Sequence, residues 1–282
     1  MIRRALMIAG LGFLCLAASC ASRPESSARA WVNPKDGMRF AWVPAGSFTA
    51  EVPVDSNDAN DAGKTSLRTI TFEQGYWVGR TEVTLGQFRR FIRETGYVTD
   101  AEKAGNRWTW KNPGFPQRDD HPVVYVSFAD ALAYARWAGV DLPTEVQWLY
   151  ASRAGTTTRF YWGDTFDDRY VWHRLNTDGT GTRPVARKLP NAWGLYDMVG
   201  NAREYCLLVQ AGFKPAPANV FATRGGSWTR CPSYRGRTGG LFEGLFDAEV
   251  APRLEKYEPN PQYPPYPWDD DRGFRCIRRA DP

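Results

Sequence analysis

Three stretches of the chain repeat apolar residues at a helical spacing, and each opens on a residue able to cap a helix. Thr84 and Gln87 form a capping box ahead of Leu85, Phe88, Phe91 and Ile92, and Gly96 follows as a stop. Ser127 and Asp130 form a looser box, with Asp where Glu is usual. Phe128, Ala131, Leu132 and Ala135 line that second helix, and Gly139 ends it. Thr144 and Gln147 open a third helix after Pro143, and Gly155 lies beyond its end. None of the three carries a His, Cys or carboxylate cluster on its apolar face, so the pattern assigns them to the scaffold. Met38–Val43 alternates weakly after an Asp36-Gly37 turn signal and predicts a strand. Beyond Gly155 the helical period fades into short aromatic and Gly-rich pieces that end at Gly273-Phe-Arg-Cys276. No repeat or obvious boundary divides the chain, which predicts one domain over residues 31–282.

Composition sharpens this picture. The chain has 282 residues, and 43% hydrophobic content excludes disorder. With 26 Gly, 20 Pro and 12 Trp it does not read as a helix bundle; a loop-rich α+β domain pinned by aromatic side chains is expected. Only two His, His121 and His173, are present, which argues against a zinc site of several His ligands and against Ser-His-Asp catalysis. The polar run Glu51–Lys64 is acidic, but no register within it supplies a calcium-loop ligand set, so it reads as a solvated loop.

The N-terminus predicts export. Arg3 and Arg4 precede an apolar run, Ala5–Leu16, that is shorter than the roughly 18–20 residues of a membrane span. Leu16-Ala-Ala-Ser-Cys20 resembles a bacterial lipobox with Leu one place further out than usual, so residues 1–19 read as a signal peptide. Cys20 is then the lipidation site and residues 20–30 a tether to the membrane, placing the domain in the periplasm or on the cell surface. An ordinary signal peptide with an incidental Cys is the alternative. Cleavage removes two Arg and no acid, lowering the formal charge of +5 by two units. The remainder is mild and evenly spread, and no nucleic-acid partner is expected.

Seven blocks together are similar to the formylglycine-generating enzyme (sulfatase-modifying factor) family. They are Thr81-Glu-Val-Thr84 with Gln87-Phe88, then His121 to Ser127, Leu142-Pro-Thr-Glu145, Tyr161-Trp-Gly-Asp164, Pro190 to Asn201, Arg224-Gly-Gly-Ser-Trp228 and Gly273-Phe-Arg275. They follow the family's order over nearly the whole domain. The resemblance implies an irregular α+β fold of the C-type-lectin-like kind. It also implies oxidation of a sulfatase cysteine by oxygen and copper, the metal being held by two thiolates.

The copper ligands do not carry over. Matching Ser233-Tyr234 to the family pattern places Arg230 and Arg235 at the two cysteine positions, with Cys231 one place off register. A guanidinium stays protonated and cannot bind Cu(I), so copper is not expected and no catalytic residue is assigned. Arg203 also stands where the family has a Trp. Arg203, Ser227, Trp228, Arg230, Arg235 and Arg237 therefore become candidates for an anion- or glycan-binding face; ordinary surface arginines are the alternative. The family's calcium spacing is matched by Asp197, Gly200, Ala202 and Glu204, two carboxylates and two carbonyls suited to Ca²⁺. The competing reading has both acids bonding backbone amides in a tight turn. The resemblance further implies a Cys206–Cys231 disulfide, with Cys231–Cys276 as the competing pair. Pro259–Trp268 is a Pro-rich aromatic insertion, either an exposed recognition ledge or a stiff surface loop. The expected protein is thus a non-catalytic exported lipoprotein that binds a protein or glycan partner, with a residual oxidoreductase as the alternative.

Overall fold

The structure is a computed structural model and describes residues 30–53, 65–210, 214–215, 221–229 and 269–280. The signal segment with Cys20, the bulk of the Glu51–Lys64 loop, Arg230, Cys231, Arg235, Arg237 and the Pro259–Trp268 insertion lie outside the described residues.

Chain order begins with β1 (Ala30–Val32), β2 (Arg39–Val43), β3 (Gly46–Pro53), β4 (Thr65–Phe72) and β5 (Tyr76–Gly79). Helices α1 (Leu85–Thr95), α2 (Asp100–Lys103), α3 (Phe128–Ala138) and α4 (Glu145–Arg153) follow. After a long irregular stretch come β6 (Arg203–Leu207), β7 (Val209–Gln210), β8 (Lys214–Pro215), β9 (Phe221–Arg224), β10 (Arg272–Gly273) and β11 (Ile277–Arg279).

The three expected helices form where the caps placed them. Thr84, Ser127 and Thr144 each accept a bond from the N3 amide, and the N3 side chain returns one to the cap. Asp130 closes its box despite being shorter than Glu. Gly96 and Gly139 end α1 and α3 in the left-handed conformation, and α4 ends on a left-handed Ala154, with Gly155 beyond it as expected. The short α2 was not anticipated, although its Thr99–Glu102 capping box is visible in the sequence. The predicted strand is β2.

β1, β2, β5 and β11 make one antiparallel sheet in that order, so the last strand pairs with a strand near the start and the chain closes on itself. A second sheet, ordered β10-β6-β9, pairs β10 with β6 in parallel. Two ribbons, β3–β4 and β7–β8, complete the described strands.

Aromatic side chains fill two adjoining cores. In one, Phe88, Phe91, Tyr134 and Phe274 pack ring against ring under α1 and α3. In the other, Trp148, Tyr150 and Phe160 pack with Leu195, Met198 and Val199 under α4. The irregular stretch is held by side chains that take over the work of a ladder. Asn191 donates to the carbonyls of Ala151 and Ser152 and accepts from the amides of Trp193 and Leu195. No described helix is long and apolar enough to cross a membrane.

Candidate functional site

The turn that leads into β6 carries the candidate calcium residues. Asp197 and Asn201 adopt positive φ, 54° and 58°, and Gly200 adopts 82°. A Cβ on Gly200 would sit 2.1 Å from the Trp172 carbonyl, so only glycine lets these two backbone segments touch. Asn201 then ties the turn to residue 183, donating to the Arg183 carbonyl and accepting from its amide.

This turn delivers two acids to the interior with different fates. Glu204 is fully buried and chelated by Arg275, whose Nε reaches Oε2 at 2.5 Å and whose Nη2 reaches Oε1 at 2.6 Å. Trp148 Nε1 adds a third donor at 2.6 Å. Arg275 spends its remaining donors on the carbonyls of Gly79 and Tyr196, so one guanidinium joins β5, the turn and β6. Asp197 is less well served: Oδ2 accepts from the Ala186 amide at 2.7 Å, while Oδ1 is buried with no partner among the described residues. Burial raises the Asp197 carboxyl to about 6. Glu82, from the loop before α1, faces the same interior. It is fully buried, neither of its oxygens has a hydrogen-bond partner among the described residues, and burial together with Asp197 and Glu204 pushes it well above the carboxylate range.

The donor set therefore suits a hard cation. A carboxylate has about four lone-pair positions, and Glu204 uses three of them. Asp197 Oδ1, without a hydrogen-bond partner among the described residues, and the one Glu204 lone-pair position left by Arg275 and Trp148 are oxygen donors of the kind Ca²⁺ favours. The competing reading, backbone capture of both acids, holds for one Asp197 oxygen and for neither Glu204 oxygen.

Arg203, one residue before Glu204, faces a different corner. Its Nη2 reaches Asp271 Oδ1 at 2.6 Å and Asp269 Oδ2 at 3.6 Å. Asp271 Oδ2 accepts from Ser227 Oγ at 2.6 Å and Thr229 Oγ1 at 2.9 Å. Burial opposes the charge on Asp271, but Arg203 and the two hydroxyls hold its carboxyl below the usual range. Trp228 Nε1 donates to the Asp270 carbonyl, and its ring meets Phe115 edge-on. Arg203 is consequently not the free anion fork expected from the sequence: Asp271, with Asp269 further off, neutralises it. Asp269, Asp270 and Asp271 bring their oxygens within 4.8 Å of one another, and burial with this crowding raises Asp270 to about 6.

Both a buried acid cluster and a polar corner thus hang on Pro190–Asn201, Arg224–Trp228 and Gly273–Arg275. The model of the sulfatase-modifying factor enzyme 1-like domain matches residues 27–280. The chain belongs to this family. Among its sulfatase-modifying-factor relatives, the formylglycine-generating enzyme of Bos taurus is 30% identical over 221 residues, covering 61% of this chain and 58% of that protein. The chain thus spans under two thirds of that relative's length. The inactive C-alpha-formylglycine-generating enzyme 2 of Bos taurus is 30% identical over 246 residues, covering 70% of this chain and 79% of that protein. Among solved structures, PvdO from Pseudomonas aeruginosa superposes with a TM-score of 0.63 at 23% identity, over 89% of this chain and 98% of that one. The α+β, single-domain fold of the formylglycine-generating type follows from these matches.

The sulfatase-modifying-factor fold also places the cysteines. Cys206 and Cys276 are free thiols with no exposed surface, and burial pushes both well above the ordinary thiol range. Neither is bridged here, and Cys231, the partner offered to each, lies outside the described residues. The sequence reading missed Glu82, Arg275 and Asp271 as site residues. The first two stood inside family blocks, as charged residues within otherwise apolar or Gly-rich runs, and that was the available signal.

Proposed function

We propose that this chain is a non-catalytic sulfatase-modifying-factor-like protein, exported and anchored through Cys20, that binds a protein or glycan partner; Ser227 and Trp228, offered for that face by the sequence, are buried and bonded to Asp271 and Asp270, so they support the loop rather than meet a ligand. The observation that carries this reading is the state of the thiols. Cys206 and Cys276 are sealed in the cores with raised thiol pKa values, so neither offers the thiolate that Cu(I) or oxygen chemistry needs. Cys231 alone cannot make a thiolate pair, and Arg235 stands at the second position. A relative named an inactive C-alpha-formylglycine-generating enzyme 2, from Bos taurus, is as similar to this chain as the formylglycine-generating enzyme of that organism, so the family includes members named inactive. With Arg203 neutralised by Asp271, Arg230, Arg235 and Arg237, which lie outside the described residues, are the arginine candidates left for anion recognition.

Calcium is part of the proposal. Asp197, Gly200, Ala202 and Glu204 would hold it, and the ion would cross-link the turn to β6 as a structural element. A Tm that rises with Ca²⁺ and falls with chelator is expected; an unchanged Tm in both counts against it.

The decisive test incubates the purified full chain with Cu(I), oxygen and a Cys-containing sulfatase peptide. No aldehyde is expected. Aldehyde that forms with wild type and disappears in Cys231→Ser would replace this reading with the oxidoreductase one. For the partner, binding of acidic glycans and sulfated peptides is compared between wild type and Arg235→Ala. Binding that is absent, or equal in both, removes the arginine face from the proposal. Labelling with a fatty-acid analogue, lost in Cys20→Ser, tests the anchor.

A further inference from the structure

Two loop segments, Gln117 to His121 and Thr182 to Arg187, run side by side next to the polar corner. The Val185 amide donates to the Asp120 carbonyl at 2.8 Å, and Gln117 Nε2 donates to Thr182 Oγ1 at 2.8 Å. Asn201 joins them to the corner: its side chain bonds the Arg183 amide and carbonyl, and its own carbonyl accepts the Trp228 amide. A turn closed by the His121 amide on the Arg118 carbonyl leaves the Arg118 side chain 71% exposed. On the other segment Asp197 holds the Ala186 amide, and Ala186 takes a left-handed φ of 58°. The chain turns there, and the Arg187 side chain emerges 63% exposed.

Arg118 and Arg187 meet over one carboxylate. Arg118 Nε lies 3.4 Å from Asp120 Oδ1, and Arg187 Nη2 lies 3.6 Å from Oδ2. Neither contact is a hydrogen bond: Oδ1 has no hydrogen-bond partner among the described residues, and 3.6 Å is too long for one. A guanidinium carries five N–H donors, so both of these forks keep their donors open among the described residues. Arg203, Arg275 and Arg169 differ, since Asp271, Glu204 and Asp167 fill theirs. The other acid of the strip, Asp119, is already paired with Arg89. Arg183 donates to the Thr177 carbonyl and the Thr180 hydroxyl, neutral acceptors that leave its charge in place. Positive charge is therefore in excess, and it is concentrated on two adjacent open forks.

We propose that Arg118 and Arg187 form a binding site for an acidic glycan, whose carboxylate or sulfate groups seat on the two forks while Arg183 adds attraction at longer range. A planar guanidinium fork matches the paired oxygens of such groups. The surroundings favour a glycan over an acidic peptide. Neither segment is a strand, so no sheet edge is open for a peptide to extend. The exposed positions of the two segments are Arg118, Asp119, Ala186 and Arg187, without the aromatic anchors that dominate contacts between proteins. This deepens the partner reading given above and rests on it, but it places the anionic groups on arginines other than Arg230, Arg235 and Arg237.

The experiment titrates the full chain by calorimetry with oligogalacturonate, with a chondroitin sulfate oligosaccharide, with a neutral dextran oligosaccharide and with an oligoglutamate peptide. Binding of at least one acidic oligosaccharide and none of the neutral one is expected; which one binds tells carboxylate from sulfate. Arg118→Gln and Arg187→Gln should each weaken the Kd by at least about fivefold, with the effect shrinking as salt is raised. Asp120→Asn should tighten it, because the carboxylate competing for both forks is gone. Arg39→Gln, at an exposed arginine on β2, should leave it unchanged. If an acidic oligosaccharide binds and both strip variants keep the wild-type Kd, this site is refuted while the partner reading stands. An equal loss in Arg39→Gln, or weaker binding in Asp120→Asn, overturns the site as well. Tighter binding of oligoglutamate than of either acidic oligosaccharide overturns the choice of a glycan. If no anionic probe binds, this site and the arginine face fail together.

Discussion

Arg275→Met is the perturbation that bears most directly on how this fold is held together. Methionine matches much of the arginine's bulk, so the change removes charge and donors more than volume. Glu204 loses both guanidinium bonds and keeps only Trp148, while the carbonyls of Gly79 and Tyr196 lose their donor. Removing one partner of a buried pair costs about 3–5 kcal/mol. Each buried acceptor left open adds roughly 1–3 kcal/mol wherever water cannot reach it. Domains have about 5–15 kcal/mol in total, so the variant should stand at the edge of folding. At roughly 2–4 °C per kcal/mol for a domain of this size, the pair alone predicts a fall in Tm of about 6–20 °C.

The assay is urea denaturation in chelator at pH 7.5, repeated toward pH 4. Without Arg275, which lowers both, the folded-state pKa values of Asp197 and Glu82 rise further. An acid with a raised folded pKa favours the fold below its unfolded pKa and disfavours it progressively as pH climbs toward the folded value. The deficit of the variant should therefore shrink as pH falls through 6, where Asp197 already titrates in wild type, toward its ordinary value of 3.8. Adding Glu204→Gln to Arg275→Met should recover part of the loss, because no buried charge is then left without its partner. A single-variant cost below about 1 kcal/mol would refute the reasoning, since a buried pair broken on one side does not come so cheaply. Additivity of the two substitutions would refute it equally, because residues in one network couple.

Three further outcomes are expected. In calcium-free buffer Asp197→Asn should be more stable than wild type at pH 7, by at most about 3 kcal/mol, and equal near pH 4; urea titrations at both pH values check this. Gly200→Ala should cost at least about 3 kcal/mol, because a Cβ there meets the Trp172 carbonyl at 2.1 Å on a backbone with φ 82°; a Tm within two or so degrees of wild type would refute that contact. Cys206 and Cys276 should resist alkylation in the native protein and react only after denaturation, read by peptide mapping; rapid native labelling of either would contradict their burial.

How much was legible in advance depended on how local each feature is. The helices were readable because capping is a short-range bargain: Thr84, Ser127 and Thr144 each meet their partner three residues on. The Thr99–Glu102 box obeyed the same rule and was passed over only because α2 is too short to show an apolar period. Arg203 was misjudged for the opposite reason. Its partner Asp271 lies 68 residues away, and no spacing rule links them.

The sequence by itself determined the family, the fold class and the helix starts, since each rests on residue identity at a fixed short distance. It also named Asp197 and Glu204 as a pair, because the two stand only seven positions apart in the chain. Only the tertiary structure decided what those residues do. Folding brings Glu82, Glu204 and Arg275 into one dry interior across separations as large as 196 residues, counted from Gly79 to Arg275. Charge there is hardly screened, so the sum of the buried charges, which no linear pattern displays, governs the chemistry.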